Sequence, residues 1–256
     1  MDDEQLPGGR TGGAVRVGAT VRRPTRPWTP AVHAVLRHLE AVGFSGAPRV
    51  LGTDDQGREV LSYLDGHTVG ERLPWPGWVH SDEALAQVGA WNRRLHDATE
   101  AFVPPEGLRW FAGQSWQPGL VIGHHDAAPY NAVWTDDGLL GFVDWDTAGP
   151  APRELDLAFT ALGWVPLFAR RVVEPQGFRA HDDRSRRLHL LLDAYGYEGD
   201  RVAFGAAVAA RARLNGQAIR RLAGTGDPTY IALLTAADDL EQAAREVEAL
   251  PSAFWS

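Results

Sequence analysis

The sequence predicts an α+β fold in which a small antiparallel sheet with one helix precedes a larger, mainly helical part. The first 64 residues alternate short extended segments with Gly- and Pro-containing turns around a single helical pattern. From residue 81 onward, longer segments carry apolar residues at helical spacing. The pattern changes near residues 64–66, so we expect an N-terminal lobe at 1–64 and a C-terminal lobe at 65–256.

The N-terminal part is expected to consist of short strands and one helix. We expect strands at residues 14–17, 20–23, 49–52 and 59–64. The glycine-rich run from Gly8 to Gly13 predicts a turn. Thr29 is a suitable N-cap and Pro30 suits the first helical position, so we expect a helix that ends at Gly43.

The C-terminal part is expected to be mostly helical. Ser81 is a suitable cap for a helix that reaches residue 101, with apolar residues along one face. Residues 104–149 contain loops and short strands. We expect three further helices, at residues 183–195, 200–222 and 229–250.

Composition excludes several classes of protein. The chain of 256 residues has a formal net charge of −8, which argues against a nucleic-acid-binding protein. This charge fits a neutral or cationic substrate, and solubility alone also explains it. Since cysteine is absent, disulfides, thiolate metal sites and cysteine nucleophiles are excluded. We find neither eighteen consecutive apolar residues nor a signal-peptide pattern, so we expect a cytoplasmic protein without a membrane span.

The side chains best suited to catalysis lie between residues 121 and 146. An apolar strand leads into a loop that contains Asp126 and Asn131, and a later strand ends at Asp144. Mg²⁺ prefers hard oxygen ligands, which Asn131 and Asp144 provide. Phosphoryl transfer also requires a carboxylate that orients the accepting hydroxyl. We therefore predict that Asp126 is the catalytic base and that Asn131 and Asp144 bind the metal.

The pattern His124-x-Asp126-x4-Asn131, followed by a strand and Asp144, resembles the catalytic loop of kinase-like phosphotransferases. It is most similar to the aminoglycoside phosphotransferase and choline kinase branch, although His125 stands where that branch usually has glycine. The resemblance implies a two-lobed protein-kinase-like fold, and it implies that His124 braces the loop. For Asp146 two alternatives remain, a second neighbour of the metal or a residue that hydrogen-bonds its loop.

The same resemblance places the nucleotide, ATP or alternatively GTP, against the N-terminal lobe. Gly12 and Gly13 lie where the family has its phosphate-covering loop. A basic residue on the next strand pairs with the inner phosphates in this family. The sequence contains no lysine, so Arg22 is expected in this role, with Arg23 as the alternative. Neighbouring residues in a strand point to opposite faces, hence only one of the two arginines can serve.

Two further expectations concern the helix and the hinge. The family's basic residue usually pairs with a glutamate on the following helix, but Val32 and His33 occupy the expected place. Ser62, Tyr63 and Leu64 are expected to form the hinge, where backbone groups would hydrogen-bond the nucleobase.

The resulting hypothesis is an enzyme that moves the terminal phosphoryl group of a Mg-nucleotide to a hydroxyl of a small molecule. The acceptor is expected to be an aminoglycoside-like antibiotic, an amino sugar or an amino alcohol. The acidic side chains of Glu174, Asp182, Asp183 and Asp193 are its candidate contacts, or alternatively ordinary surface charges. The second hypothesis is a catalytically degenerate, kinase-like immunity or resistance protein. The missing helix glutamate favours this second hypothesis, whereas the intact catalytic residues favour the first.

Overall fold

The computed structural model describes residues 4–6, 13–70 and 73–256. The chain forms two compact units: one contains Met1–Glu71 and Arg94–Pro152, and the other contains Arg72–Arg93 and Arg153–Ser256. These units interleave along the chain, whereas the expected division at residue 64 follows the change in secondary structure and stays a prediction. All the site residues predicted from the motifs belong to the first unit.

The first unit contains a five-stranded antiparallel sheet with the strand order β1-β2-β3-β5-β4. Its strands are β1 (Glu4–Gln5), β2 (Val15–Val17), β3 (Thr20–Pro24), β4 (Val50–Thr53) and β5 (Arg58–Ser62). The turn between β4 and β5 is stabilised by Asp54, whose Oδ1 accepts hydrogen bonds from the amides of Gln56 and Arg58. The central pair β3–β5 is in a register that places Arg23 opposite Glu59.

One helix follows the third strand. Helix α1 (Thr29–Ala41) buries the apolar residues Ala31, Val32, Val35, Leu36 and Leu39. The prediction that Thr29 is the N-cap was wrong, because Trp28 occupies that position and Thr29 is the first helical residue. The Thr29 hydroxyl accepts a hydrogen bond from the amide of Arg26, so it stabilises the turn before the helix instead.

Two short sheets complete the first unit. Strands β6 (Val121–Gly123) and β9 (Gly149–Ala151) form one, and β7 (Ala132–Thr135) and β8 (Gly138–Phe142) form the other. The backbone at Gly46 packs directly on β8, where a Cβ on Gly141 would lie 2.2 Å from the carbonyl oxygen of Gly46. The Phe142 amide also donates to that oxygen at 3.1 Å. This close approach fixes the end of β8, which precedes Asp144.

The second unit is helical. Its helices are the first part of α2 (Asp82–Thr99) together with α3 (Arg153–Trp164), α4 (Arg170–Val173), α5 (Arg184–Tyr195), α6 (Arg201–Ala223), α7 (Pro228–Ile231) and α8 (Leu234–Glu248). Helix α6 packs against α3 and α8. The predicted cap of α2 is confirmed, because Ser81 Oγ accepts from the Ala84 amide. Within the described ranges, no helix combines the length and apolarity needed to cross a bilayer.

Candidate active site

The loop after β6 is held by His124. This side chain is fully buried, and its Nε2 lies 3.1 Å from the carbonyl oxygen of Val143. That oxygen can only accept, so Nε2 donates and Nδ1 accepts the hydrogen bond from the Asp126 amide at 3.3 Å. The ring also meets Trp145 edge-on, with 4.7 Å between the centroids. His124 therefore links the loop to the chain after β8, and its bracing role stays a prediction.

The next residue, His125, is the departure from the family pattern. His125 has a φ of 64°, which lies in the left-handed region that favours glycine. Its imidazole is buried, and Nε2 donates to the carbonyl oxygen of Gly149 at 3.0 Å. This hydrogen bond ties the loop to β9 and helps to offset the cost of the unfavourable backbone conformation.

Asp126 is held at both carboxylate oxygens. The side-chain nitrogen Nδ2 of Asn131 donates to Oδ2 of Asp126 at 2.9 Å, and it also donates to the Asp126 backbone carbonyl at 3.0 Å. The hydroxyl of Tyr130 donates to Oδ1 at 2.5 Å. Tyr130 is not among the site residues predicted from the sequence. The signal that could have revealed it is its position beside Asn131 and four residues after Asp126, in the short helical turn Pro129–Asn131.

Asp144 and Asn131 are neighbours through the backbone. The Val143 amide donates to the carbonyl oxygen of Asn131 at 3.0 Å. Asp144 follows Val143 directly, so this hydrogen bond joins the segments of the two predicted metal ligands. Asp144 has φ 61° and ψ 66°. This left-handed conformation is more accessible to aspartate than to most residues.

The charge around Asp144 is unbalanced. Although 46% of the Asp144 side chain is exposed, the protein on its inner side removes water from the carboxylate. This desolvation, together with the negative charge of Asp146, raises the pKa of Asp144, and the positive charge of Arg23 only partly opposes the effect. An additional cation beside Asp144 would relieve this excess of negative charge.

Arg23 is the cation that the protein itself provides. Its Nη2 donates to Asp146 at 2.7 Å, its Nη1 lies 3.4 Å from Asp144, and its Nε donates to Glu59 at 2.6 Å. Burial opposes the charge on Arg23, but the attraction of Asp146, Glu59 and Asp144 outweighs burial and raises the arginine pKa above its ordinary value. For Asp146, the structure thus shows a hydrogen bond to Arg23.

Arg22 is directed to a different group. Its Nη1 lies 3.8 Å from Oδ2 of Asp54, in the turn between β4 and β5. The expected alternation along β3 therefore separates the two arginines, but their contacts reverse their order as candidates. Arg23, and not Arg22, contacts the acidic residues of the site, so we move the phosphate-binding role from Arg22 to Arg23 as a proposal.

The other predicted nucleotide contacts are partly engaged by the protein. The amide of Ser62 donates to the carbonyl of Arg49, and the amide of Tyr63 donates to the carbonyl of Ala19. Of the three hinge residues, Leu64 is therefore the best remaining candidate for donating to a nucleobase. Gly13 is exposed with φ 93°, and Gly12 lies outside the described residues.

The acidic residues proposed as acceptor contacts lie in the second unit. Asp183 accepts from Arg186 at 2.7 Å, Asp193 pairs with Arg201, and Glu174 lies 3.3 Å from His181. These pairs agree with the alternative of ordinary surface charges at the three residues. Their role in acceptor binding stays a prediction.

The oxygen donors fit magnesium better than a transition metal. In the portion of the chain that the structure describes, no three His, Cys, Asp or Glu side chains are grouped to hold a metal ion by themselves. The side-chain nitrogen Nδ2 of Asn131 donates to Asp126, so Oδ1 of Asn131 is the atom able to face a cation. Asp144 adds a carboxylate with excess negative charge around it. Mg²⁺ is commonly held by one or two such groups together with phosphate oxygens and water.

Comparison with solved structures places this fold in a known class. The whole fold matches a choline/ethanolamine kinase family protein from Mesorhizobium loti (TM-score 0.59, 18% identity, 98% of this chain and 93% of the other). It also matches an amicoumacin kinase in complex with AMP-PNP, Ca²⁺ and Ami (TM-score 0.62, 12% identity, 98% and 89%) and a spectinomycin phosphotransferase in complex with ADP and spectinomycin (TM-score 0.61, 10% identity, 98% and 93%). These matches confirm the predicted protein-kinase-like α+β fold.

Sequence comparison identifies the family. Residues 109–190 match the model of the phosphotransferase enzyme family. The chain is also 40% identical over 202 residues to the trifolitoxin immunity protein of Rhizobium leguminosarum bv. trifolii, covering 77% of this chain and 75% of that protein. The chain belongs to this phosphotransferase family, as the motif around Asp126 predicted.

Proposed function

We propose that this protein transfers the terminal phosphoryl group of a magnesium-bound ATP or GTP to a hydroxyl of a small antimicrobial compound. The arrangement of Asp126 is the observation that carries the proposal. Its carboxylate is held by Asn131 and Tyr130, in a loop whose backbone is hydrogen-bonded beside Asp144. This arrangement combines an oriented base with oxygen ligands for a metal-bound triphosphate.

Each residue has a defined role in this reaction. The acceptor hydroxyl donates its hydrogen bond to Asp126, and its oxygen forms the new bond to the terminal phosphorus. The bond from that phosphorus to the nucleoside diphosphate breaks, and the acceptor proton passes to the Asp126 carboxylate. Arg23 binds phosphate oxygens, while Asn131 and Asp144 would hold the metal. When bound, Mg²⁺ would neutralise charge on the phosphates.

The relatives support one class of acceptor. The similar structures include a kinase of amicoumacin and a phosphotransferase bound to spectinomycin, and the relative in sequence is an immunity protein. These names support an antimicrobial compound, with an amino sugar or amino alcohol as the chemical alternative.

The test is a transfer assay with the purified full-length chain. Magnesium with ATP or GTP is incubated with a panel of aminoglycosides, peptide antibiotics, choline and sugars, and products are analysed by mass spectrometry. A gain of one phosphate on a panel member supports the proposal, provided that the Asp126→Asn variant does not produce it. An acceptor that is modified equally well by this variant would contradict the role of Asp126.

A second candidate function is immunity by binding alone. The 40% identity to an immunity protein favours it, because that relative's name describes protection and not a reaction. The two functions are separated by exposing cells that express either the wild-type chain or Asp126→Asn to an antimicrobial compound. Protection by both proteins to the same degree indicates binding, and protection by the wild type alone indicates phosphoryl transfer.

A further inference from the structure

A buried carboxylate lies directly behind Arg23. Glu59 on β5 faces Arg23 across the β3–β5 pair, and only 1% of Glu59 is exposed. Its Oε1 accepts from Nε of Arg23 at 2.6 Å, and its Oε2 lies 2.7 Å from Nε2 of His33 on helix α1. An ionised carboxylate can only accept hydrogen bonds, so His33 donates through Nε2. Glu59 thus connects the helix to the arginine of the site.

These contacts hold Arg23 through Nε and Nη2 and leave Nη1 with the longest contact. Glu59 binds the Nε side of the guanidinium group, whereas both Nη atoms are directed to Asp146 and Asp144. Because the guanidinium is planar, fixing Nε also fixes the plane in which the Nη atoms lie. The contact to Asp144 is the longer one, at 3.4 Å, so Nη1 is the atom best placed to exchange its carboxylate for a phosphate oxygen.

We propose that Glu59 and His33 are positioning residues that hold Arg23 for binding the phosphates of the nucleotide, an inference that rests on the proposed function. The acidic partner sought on α1 at Val32 or His33 is supplied by β5, and the helix contributes His33 as the hydrogen-bond donor to it. Arg23, Glu59 and His33 thus replace a direct pair between a strand cation and a helix carboxylate. This arrangement removes the main argument for a degenerate nucleotide site.

The first test substitutes Glu59→Gln, which keeps the shape but removes the charge. We expect the Kd for the Mg-nucleotide, measured by calorimetry, to rise about tenfold, since a neutral amide can no longer form the ion pair that holds the Arg23 guanidinium. The matched control is Asp54→Asn, because Asp54 is an acidic neighbour of the other arginine, Arg22. We expect this control to leave the Kd unchanged. Equal nucleotide affinity of wild type and Glu59→Gln would overturn the inference.

A second pair of variants tests His33 and covers the case in which Glu59→Gln does not fold. His33→Gln keeps a donor for Glu59 and is expected to change the Kd by no more than about twofold, whereas His33→Leu removes the donor and is expected to weaken binding severalfold. Wild-type affinity of His33→Leu would contradict the inference.

A spectroscopic measurement separates this inference from the proposed function. The Nε–H resonance of Arg23 in the nucleotide-free protein reports its bond to Glu59 directly, and we expect it to shift in His33→Leu. An unshifted resonance would overturn the positioning role. Failure of the wild-type chain to bind any Mg-nucleotide would overturn the proposed function, and the inference with it.

Discussion

The side-chain nitrogen Nδ2 of Asn131 donates a hydrogen bond to Oδ2 of Asp126 at 2.9 Å, so the proposed metal ligand and the proposed base orient each other. The same nitrogen binds the Asp126 carbonyl, which leaves little freedom for the amide group to rotate. Its oxygen is therefore available to a cation without rearrangement of the loop. A change at either residue is expected to disturb the other.

Asp126→Asn is expected to remove phosphoryl transfer while nucleotide binding survives. Asparagine keeps the size of the side chain but cannot accept the acceptor's proton as a carboxylate does, so kcat should fall by a factor of about 100 or more. Steady-state kinetics and nucleotide calorimetry on the same preparation provide the measurement. Asp136→Asn, in the exposed turn before β8, is the control. Unchanged turnover in Asp126→Asn would rule out the role of base.

Arg23→Gln and Arg22→Gln are expected to differ. Arg23 contacts Asp144, Asp146 and Glu59, so its loss should weaken Mg-nucleotide binding at least about tenfold. Arg22 contacts Asp54 at the turn, so its loss should leave the nucleotide affinity unchanged. Calorimetric titration of both variants with the Mg-nucleotide decides which arginine binds the phosphates. If Arg22→Gln were the variant with weakened binding, the original order of the two candidates would be restored.

Tyr130→Phe is expected to lower kcat about tenfold without a change in nucleotide affinity. The substitution removes the hydroxyl that donates to Oδ1 of Asp126, and a hydrogen bond to a charged group contributes about 1.5–3 kcal/mol. Since 46% of Tyr130 is exposed, folding should not be affected. Kinetics with saturating nucleotide, together with a thermal melt, test this prediction. A lower Tm with wild-type kcat would assign Tyr130 a purely structural role.

Magnesium and nucleotide are expected to stabilise the protein jointly. Binding to the native state alone raises the free energy of unfolding, by about 2.7 kcal/mol at a ligand concentration 100 times Kd. Thermal melts with millimolar ATP or GTP should therefore shift upward with Mg²⁺, and EDTA should remove the shift. Asp144→Asn should respond less than the wild type. No shift with either nucleotide would count against phosphoryl transfer and would leave immunity by binding alone as the remaining candidate.

Gly141→Ala is expected to destabilise the first unit. The added Cβ would lie 2.2 Å from the backbone oxygen of Gly46, which cannot move like a side chain, so we expect a loss at the upper end of about 1–3 kcal/mol. Gly77→Ala is the control, because a Cβ there has no neighbour within 4 Å. Urea denaturation of both variants gives the comparison. Equal stability would show that the contact with Gly46 relaxes readily.

The residues predicted for the site from the sequence are mainly those that are local in the chain. His124, Asp126 and Asn131 lie within eight residues, and a strand–loop–strand pattern limits how they can be placed. The ring of His124 hydrogen-bonds Val143 and Asp126, and its bracing role stays a prediction. The overall fold class was predictable for the same reason, because strand and helix periodicities are local properties.

Contacts between distant segments could not be predicted in the same way. Glu59 pairs with Arg23 across 36 positions of sequence, and this pairing depends on the register of two strands that the pattern of residues does not specify. The choice between Arg22 and Arg23 depends on which face of β3 is turned toward Asp144. Alternation predicts that the two differ, but it does not say which one faces the site.

Arginine at position 23 has a practical consequence for chemical labelling. A guanidinium group stays protonated across the biological pH range and is a poor nucleophile, unlike the amine of a lysine. Since the sequence contains no lysine at all, acylating nucleotide analogues that form amides with side-chain amines have no such target anywhere in this chain. Probes for its ligand site will need chemistry directed at carboxylates, guanidinium groups or Tyr130.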